Sequence, residues 1–180
     1  MSAPDNLMSF DDFIRHWAEV RPARTIFEEA GQQLSFSGLE RQSRQMAAAF
    51  AASGIAKGDR IAWYGKNSAL YFALLIAAGR IGVVMVPVGW RLAPAEVAFI
   101  LEDTATRLVF AGDDFVEAGT AVAAQLTARP HVVGASEARA WFASLEPAEI
   151  DPAGPDDAAF QLYTSGTRVG SESGARAPCR

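Results

Sequence analysis

With 180 residues, half of them hydrophobic and 21% charged, the chain can build one sizeable domain or part of a larger one. A net charge of −5 argues against a nucleic-acid surface, which would show clustered Lys and Arg. The single cysteine, Cys179, excludes a disulfide or zinc framework, and Met1–Asn6 has neither the basic region nor the apolar core of a signal peptide, so a cytoplasmic setting is expected.

Ser9 followed by Asp12 reads as a capping box opening a helix through about Val20, with Phe10, Phe13, Ile14, Trp17 and Val20 on one apolar face. Pro22 ends it. Thr25–Glu28 and Gln33–Phe36 are expected to form two short strands around Ala30-Gly31. Ser37 to Glu40 is a second capping box, for a helix to about Ser53 with Gly54 just past its end. After the turn Lys57-Gly58-Asp59, Arg60–Tyr64 reads as a strand, and Asn67 or Ser68 caps a helix through about Arg80. Val83–Val86 is a continuous apolar run of the kind a central parallel strand shows.

Ala69–Val88 has the length of a membrane span, but Arg80 near its middle and Gly79 and Gly82 divide it into a buried helix and a buried strand, so no span is expected. Beyond Pro87 comes a loop, Gly89 to Leu92, and Pro94 suits the first turn of a helix ending near Asp103. Arg107–Phe110 reads as a strand, Asp113–Leu126 as a helix and His131–Val133 as a further short strand. Residues 146–157 hold three prolines and five acids and read as an exposed connector. This alternation predicts an α/β fold with a largely parallel sheet flanked by helices.

The stretch Ala158–Thr167 then joins an apolar strand, Ala158–Tyr163, to Thr164-Ser165-Gly166-Thr167. In α/β proteins such a junction places phosphate-binding backbone: Gly166 permits close approach, and three hydroxyls add donors beside the N–H groups. Small polar residues around a glycine also make ordinary surface turns. The other chemistries are poorly supported. Neither G-x-x-x-x-G-K-[ST] nor G-x-G-x-x-G occurs, and Ser165 lacks the G-x-S-x-G context of a nucleophile elbow. His16 and His131 have no metal-binding context, and Trp63, Tyr64, Tyr71 and Phe72 fall where core packing explains them. Trp90-Arg91 lies on a loop, where a solvated arginine is the simpler reading.

Four segments, in order, carry a resemblance. Gly58-Asp59-Arg60-Ile61-Ala62 through Asn67-Ser68, Gly79-Arg80-Ile81-Gly82 through Val86-Pro87, Trp90-Arg91-Leu92-Ala93-Pro94-Ala95-Glu96, and Asp157 through Thr167 resemble segments of AMP-forming acyl-CoA synthetases of the adenylate-forming superfamily. The resemblance covers residues 9–167. It implies the N-terminal part of the large domain of such an enzyme over residues 1–167, incomplete. It also implies a two-step reaction in which a fatty or aryl carboxylic acid attacks the α-phosphate of ATP, with Mg2+, and coenzyme A then displaces AMP. By this carry-over Thr164, Ser165, Gly166 and Thr167 match the start of the ATP-phosphate loop; no catalytic residue and no metal ligand is carried over.

The pattern breaks after Thr167. The family continues with a lysine-bearing loop, whereas Arg168 to Arg180 holds no lysine and no periodicity. Residues 168–180 are therefore expected to be an unrelated, disordered tail, arising from a frameshift or early stop. The isolated chain is expected to be inactive, because half a phosphate loop cannot position ATP, and to be poorly soluble or to associate through unfinished sheet edges. The alternative is a non-catalytic binding or interaction module on the same scaffold. The acyl substrate and oligomeric state are not legible.

Overall fold

The computed structural model describes residues 9–29 and 31–163. Helix α1 (Phe10–Val20) is followed by an antiparallel pair, β1 (Thr25–Glu29) and β2 (Gln32–Ser35), and by α2 (Phe36–Ala52). The rest alternates: β3 (Arg60–Gly65), α3 (Ala69–Arg80), β4 (Val84–Gly89), α4 (Pro94–Asp103), β5 (Leu108–Ala111), α5 (Val116–Ala123), β6 (His131–Gly134) and α6 (Ala135–Ala143). The four later strands form one parallel sheet in the order β4-β3-β5-β6. The α/β architecture expected from the sequence is the one observed.

Strand periodicity divides the core. Ile61, Trp63, Met85, Leu108 and Phe110 point to one face and pack under α1, α2, α3 and α6 through Ile14, Leu39, Phe50, Leu74 and Phe142. Ala62, Tyr64, Val86, Val88 and Val109 point to the other, under α4 and α5 through Val97, Ile100, Leu101 and Val122.

Local chemistry sets most element ends. Ser9 and Asp12 exchange both hydrogen bonds of the capping box, Ser68 Oγ accepts from the Tyr71 amide at 3.1 Å, and Pro94 opens α4. Four expectations need correction. Helix α2 is capped by Ser35, whose Oγ accepts from the Gly38 amide at 3.2 Å, so the second strand stops before Phe36. Ser37 instead donates its hydroxyl to the Pro22 carbonyl, and Glu40 is engaged by Arg44 at 2.7 Å. The helix expected over 113–126 is a short 3-10 turn, Asp113–Phe115, followed by α5, which ends at Ala123; Phe115 (φ −112°, ψ −1°) joins the two and its ring packs on Tyr64. Helix α6 was not anticipated; Gly134 at its N-cap supplies no capping side chain.

The fourth correction concerns β4 and the segment beside it. Strand β4 runs through Pro87 to Gly89, and the strand expected over 158–163 pairs with it only at Met85–Phe160. The Val84 amide donates to the Asp59 carbonyl on the β3 side, whereas the Met85 amide donates to Ala159 O on the other. Alternation then turns the Pro87 nitrogen toward residues 158–163, where it has no hydrogen to give. The proline is tolerated on the side where β4 needs no ladder to β3, and it interrupts the second ladder.

Arg80, the charge within the long apolar run, is completely buried. Its Nε and Nη2 donate to Asp11 Oδ1 at 2.8 and 2.5 Å, and Nη1 donates to Ser43 Oγ at 2.5 Å. Nη2 also lies 3.5 Å from Glu40 Oε1. One guanidinium on α3 thus holds α1 and α2. No described helix is long and apolar enough to cross a membrane. Replacing Arg80 by Met leaves the buried Asp11 carboxylate only the exposed Arg15 guanidinium, 3.6 Å away, so Arg80→Met is expected to cost about 3–5 kcal/mol in urea unfolding, and adding Asp11→Leu to recover part of it. An Arg80→Met midpoint equal to wild type would contradict this.

Candidate functional site

Parallel strands end together, and in open α/β sheets the edge where they end receives ligands. Here β3, β4 and β6 each end in glycine (Gly65, Gly89, Gly134), and Gly112 follows β5. Helices α3, α4 and α6 begin at this edge, turning their N-terminal backbone amides toward it. The chain goes from β3 to β4 on one side and returns to β5 on the other, so the direction of winding reverses at β3. At that point the backbones touch: the Gly112 amide donates to Tyr64 O at 3.0 Å, and a Cβ on Gly65 would stand 3.1 Å from Gly112 N. A side chain there would crowd the Gly112 backbone.

Two loops bring charge to this edge. After β3, the Trp63 indole N–H donates to Lys66 O at 3.1 Å and fixes the start of the loop. After β4, Trp90 is 39% exposed, with Arg91 Cζ at 4.5 Å and Lys66 Nζ at 5.5 Å from its ring centroid. Such cation–π contacts contribute roughly 0.5–1 kcal/mol each at exposed sites. Phe115 backs the indole edge-on, with centroids 6.3 Å apart, and stands in turn against Tyr64. Among the described residues neither Lys66 nor Arg91 has a carboxylate partner. An aromatic platform carrying two unneutralised cations, at an edge supplied with helix N-termini, is suited to an anion with a planar or apolar part.

The residues singled out in the sequence, Thr164, Ser165, Gly166 and Thr167, lie outside the described residues. The structure reaches Tyr163. The Met85–Phe160 pair is parallel, so the chain is heading toward the same sheet edge as it arrives there. Tyr163 packs edge-on against Phe99 at 6.3 Å, donates its hydroxyl to Asp103 and accepts from Gln161 Nε2 at 3.0 Å. Burial, and then the Asp103 carboxylate, push its phenol well above the ordinary range. Trp63 and Tyr64 are buried core residues, as expected, and Tyr71 and Phe72 are half-buried, with Phe72 stacked on Phe27 at 5.2 Å. His16 lies against Trp17 and His131 is exposed at the start of β6. Lys66 was missed: a lysine after a strand looks like any solvated lysine until its ring partner in the next loop is known.

Beside this edge Asp113 accepts from Ser136 Oγ at 2.6 Å and from the Ser136 amide at 2.9 Å, tying the turn after β5 to the first turn of α6. These bonds hold its carboxyl below the ordinary aspartate range. A depressed folded-state pKa means stability that is complete above the unfolded value, about pH 4, and lost as pH falls through the folded value. Acid titration of the unfolding free energy should steepen below about pH 4, and Asp113→Asn should flatten that slope. An unchanged slope would contradict the assignment.

Comparison with known proteins adds the context. The AMP-binding enzyme family matches residues 14–168. A fatty acid–[acyl-carrier-protein] ligase, ScoC of Streptomyces coeruleorubidus, is 40% identical over 141 residues, covering 76% of this chain and 27% of its own. A feruloyl-CoA synthase of an Amycolatopsis species is 33% identical over 158 residues, covering 88% of this chain and 31% of its own. A Mycobacterium tuberculosis fatty acyl CoA synthetase of solved structure superposes with a TM-score of 0.82 at 30% identity, over 91% of this chain and 34% of that one. The chain thus spans about a third of the length of the relatives it matches.

Proposed function

The chain belongs to the AMP-binding enzyme family, and from that premise we propose that it is the N-terminal part of an ATP-dependent acid–thiol ligase, supplying one wall of the nucleotide site. The observation that carries the reading is the cationic, aromatic edge formed by Lys66, Trp90 and Arg91 at the end of the parallel sheet toward which the chain runs at Tyr163.

In the proposed reaction a carboxylate oxygen of a fatty or aryl acid attacks the α-phosphorus of ATP. The bond to the bridging oxygen breaks, and diphosphate leaves the acyl-adenylate. A thiol then attacks the acyl carbon, AMP leaves and a thioester forms. Named relatives use coenzyme A or an acyl-carrier protein, so the thiol carrier is one or the other. The contribution of this chain is electrostatic positioning. Thr164, Ser165, Gly166 and Thr167 are the proposed start of the phosphate loop, and Lys66 and Arg91 supply positive charge to the same edge. Magnesium accompanies ATP in this chemistry; among the described residues no group of three or more His, Cys, Asp or Glu side chains is arranged to hold a metal, so none is assigned to it. Nothing among the described residues favours the interaction-module alternative.

The test is backbone and indole N–H chemical-shift mapping of the whole 180-residue chain with Mg-ATP. Saturable shifts are expected at Lys66, the Trp90 indole and Arg91, with Lys66→Ala and Arg91→Ala each weakening binding about fivefold. Saturation without shifts at these residues, or no binding at millimolar nucleotide, would contradict the reading.

A further inference from the structure

The segment that leads into Thr164 is held to the sheet by very little backbone. The Met85 amide donates to Ala159 O at 2.9 Å and the Gln161 amide to Met85 O at 3.0 Å; the next donor in register would be the Pro87 nitrogen, which carries no hydrogen. A slip of one residue would exchange the two faces of this segment, so something else must set its register.

At its far end Tyr163 is held by Asp103 and Phe99, and Phe160 packs on Phe10; at its near end the side-chain contacts of the preceding turn supply a constraint. Gly154 N donates to Asp157 Oδ2 at 2.6 Å and Asp157 N donates to Gly154 O at 3.2 Å, closing a turn that Ala153 N anchors to Arg80 O at 2.8 Å. Asp157 Oδ2 then meets Lys57 Nζ at 2.6 Å. An exposed ion pair usually stabilises little, partly because two long side chains must be ordered to make it. Here the stem of the lysine, although the side chain is 56% exposed, runs close over backbone. The Lys57 stem lies across Gly82, where a Cβ would come within 2.8 Å of Lys57 Cγ, and Gly82 has φ +71°, a conformation that favours glycine. Backbone fixes the same place, with Gly58 N donating to Gly82 O at 2.7 Å. The ammonium is thereby brought beside β4, and the lysine holds the Asp157 carboxyl below its usual range.

We propose that Lys57 is a positioning residue: through Asp157 it sets the register of residues 157–163 along β4, and with it the point from which the chain enters Thr164–Thr167. The consequence for nucleotide rests on the function proposed above; the register claim does not.

The experiment is amide hydrogen exchange on the whole chain and its variants, followed at Met85 and Gln161 with the β3 amides as internal control, together with Mg-ATP titration. In Lys57→Met and Asp157→Asn, exchange at Met85 and Gln161 is expected to speed about fivefold while β3 is unchanged. Lys57→Arg should stay within about twofold of wild type, and the double exchange Lys57→Asp with Asp157→Lys should recover protection lost in either single change. Nucleotide affinity should weaken in parallel. Unchanged exchange at both amides in Lys57→Met, or equal acceleration of the β3 amides, would overturn the proposal. If wild type takes up no Mg-ATP, the functional reading fails, and the exchange data still decide the role of Lys57.

Discussion

The buried guanidinium of Arg80 is the constraint on which the arrangement depends. Withdrawing an arginine and an aspartate from water costs several kcal/mol per ion, which only close pairing and further hydrogen bonds offset. Asp11 and Ser43 provide them, from two different helices, so α1, α2 and α3 take the one relative placement that leaves no charge stranded. The same residue reaches the other end of the described chain, because its carbonyl accepts from Ala153 N. The first helix and the connector that leads to the last described residues thus meet at a single side chain and its backbone.

The edge follows from topology rather than from any one residue. Parallel pairing sends every strand of the sheet to the same side, and the direction of winding reverses at β3, the kind of position at which open α/β sheets receive ligands. Glycines at Gly65 and Gly112 let the backbones close beneath it, and the loops after β3 and β4 place Lys66 and Arg91 on one indole. Pro87 has two consequences. It leaves the β3–β4 ladder intact and weakens the ladder to residues 158–163, so the segment nearest the proposed phosphate loop is fastened mainly by side chains.

Legibility in the sequence tracks how local the physics is. The capping box at Ser9 and Asp12, the cap at Ser68 and the start of α4 at Pro94 are settled within one helical turn and could be read directly. The start of α2 could not: Ser35 and Ser37 are both good caps, and the choice is made by Pro22, whose carbonyl takes the Ser37 hydroxyl from far along the chain. Helix α6 has no capping side chain to announce it, and the truncated pairing at Phe160 depends on which way a proline in another strand faces. At the edge, Trp90-Arg91 drew notice as a loop pair, but Lys66 carries no local signal and acquires meaning only by stacking. The four residues of the proposed phosphate loop were read from their resemblance to a family motif, and they lie outside the described residues.

The central claim is that this chain supplies a folded wall of a ligase site and not the whole site. Acid-dependent exchange of labelled pyrophosphate into ATP, run on the purified 180-residue chain with fatty and aryl acids, tests it most directly. The account predicts no exchange above the protein-free background with any acid. Exchange that depends on both the acid and the chain would contradict it, since these residues alone would then complete adenylate formation.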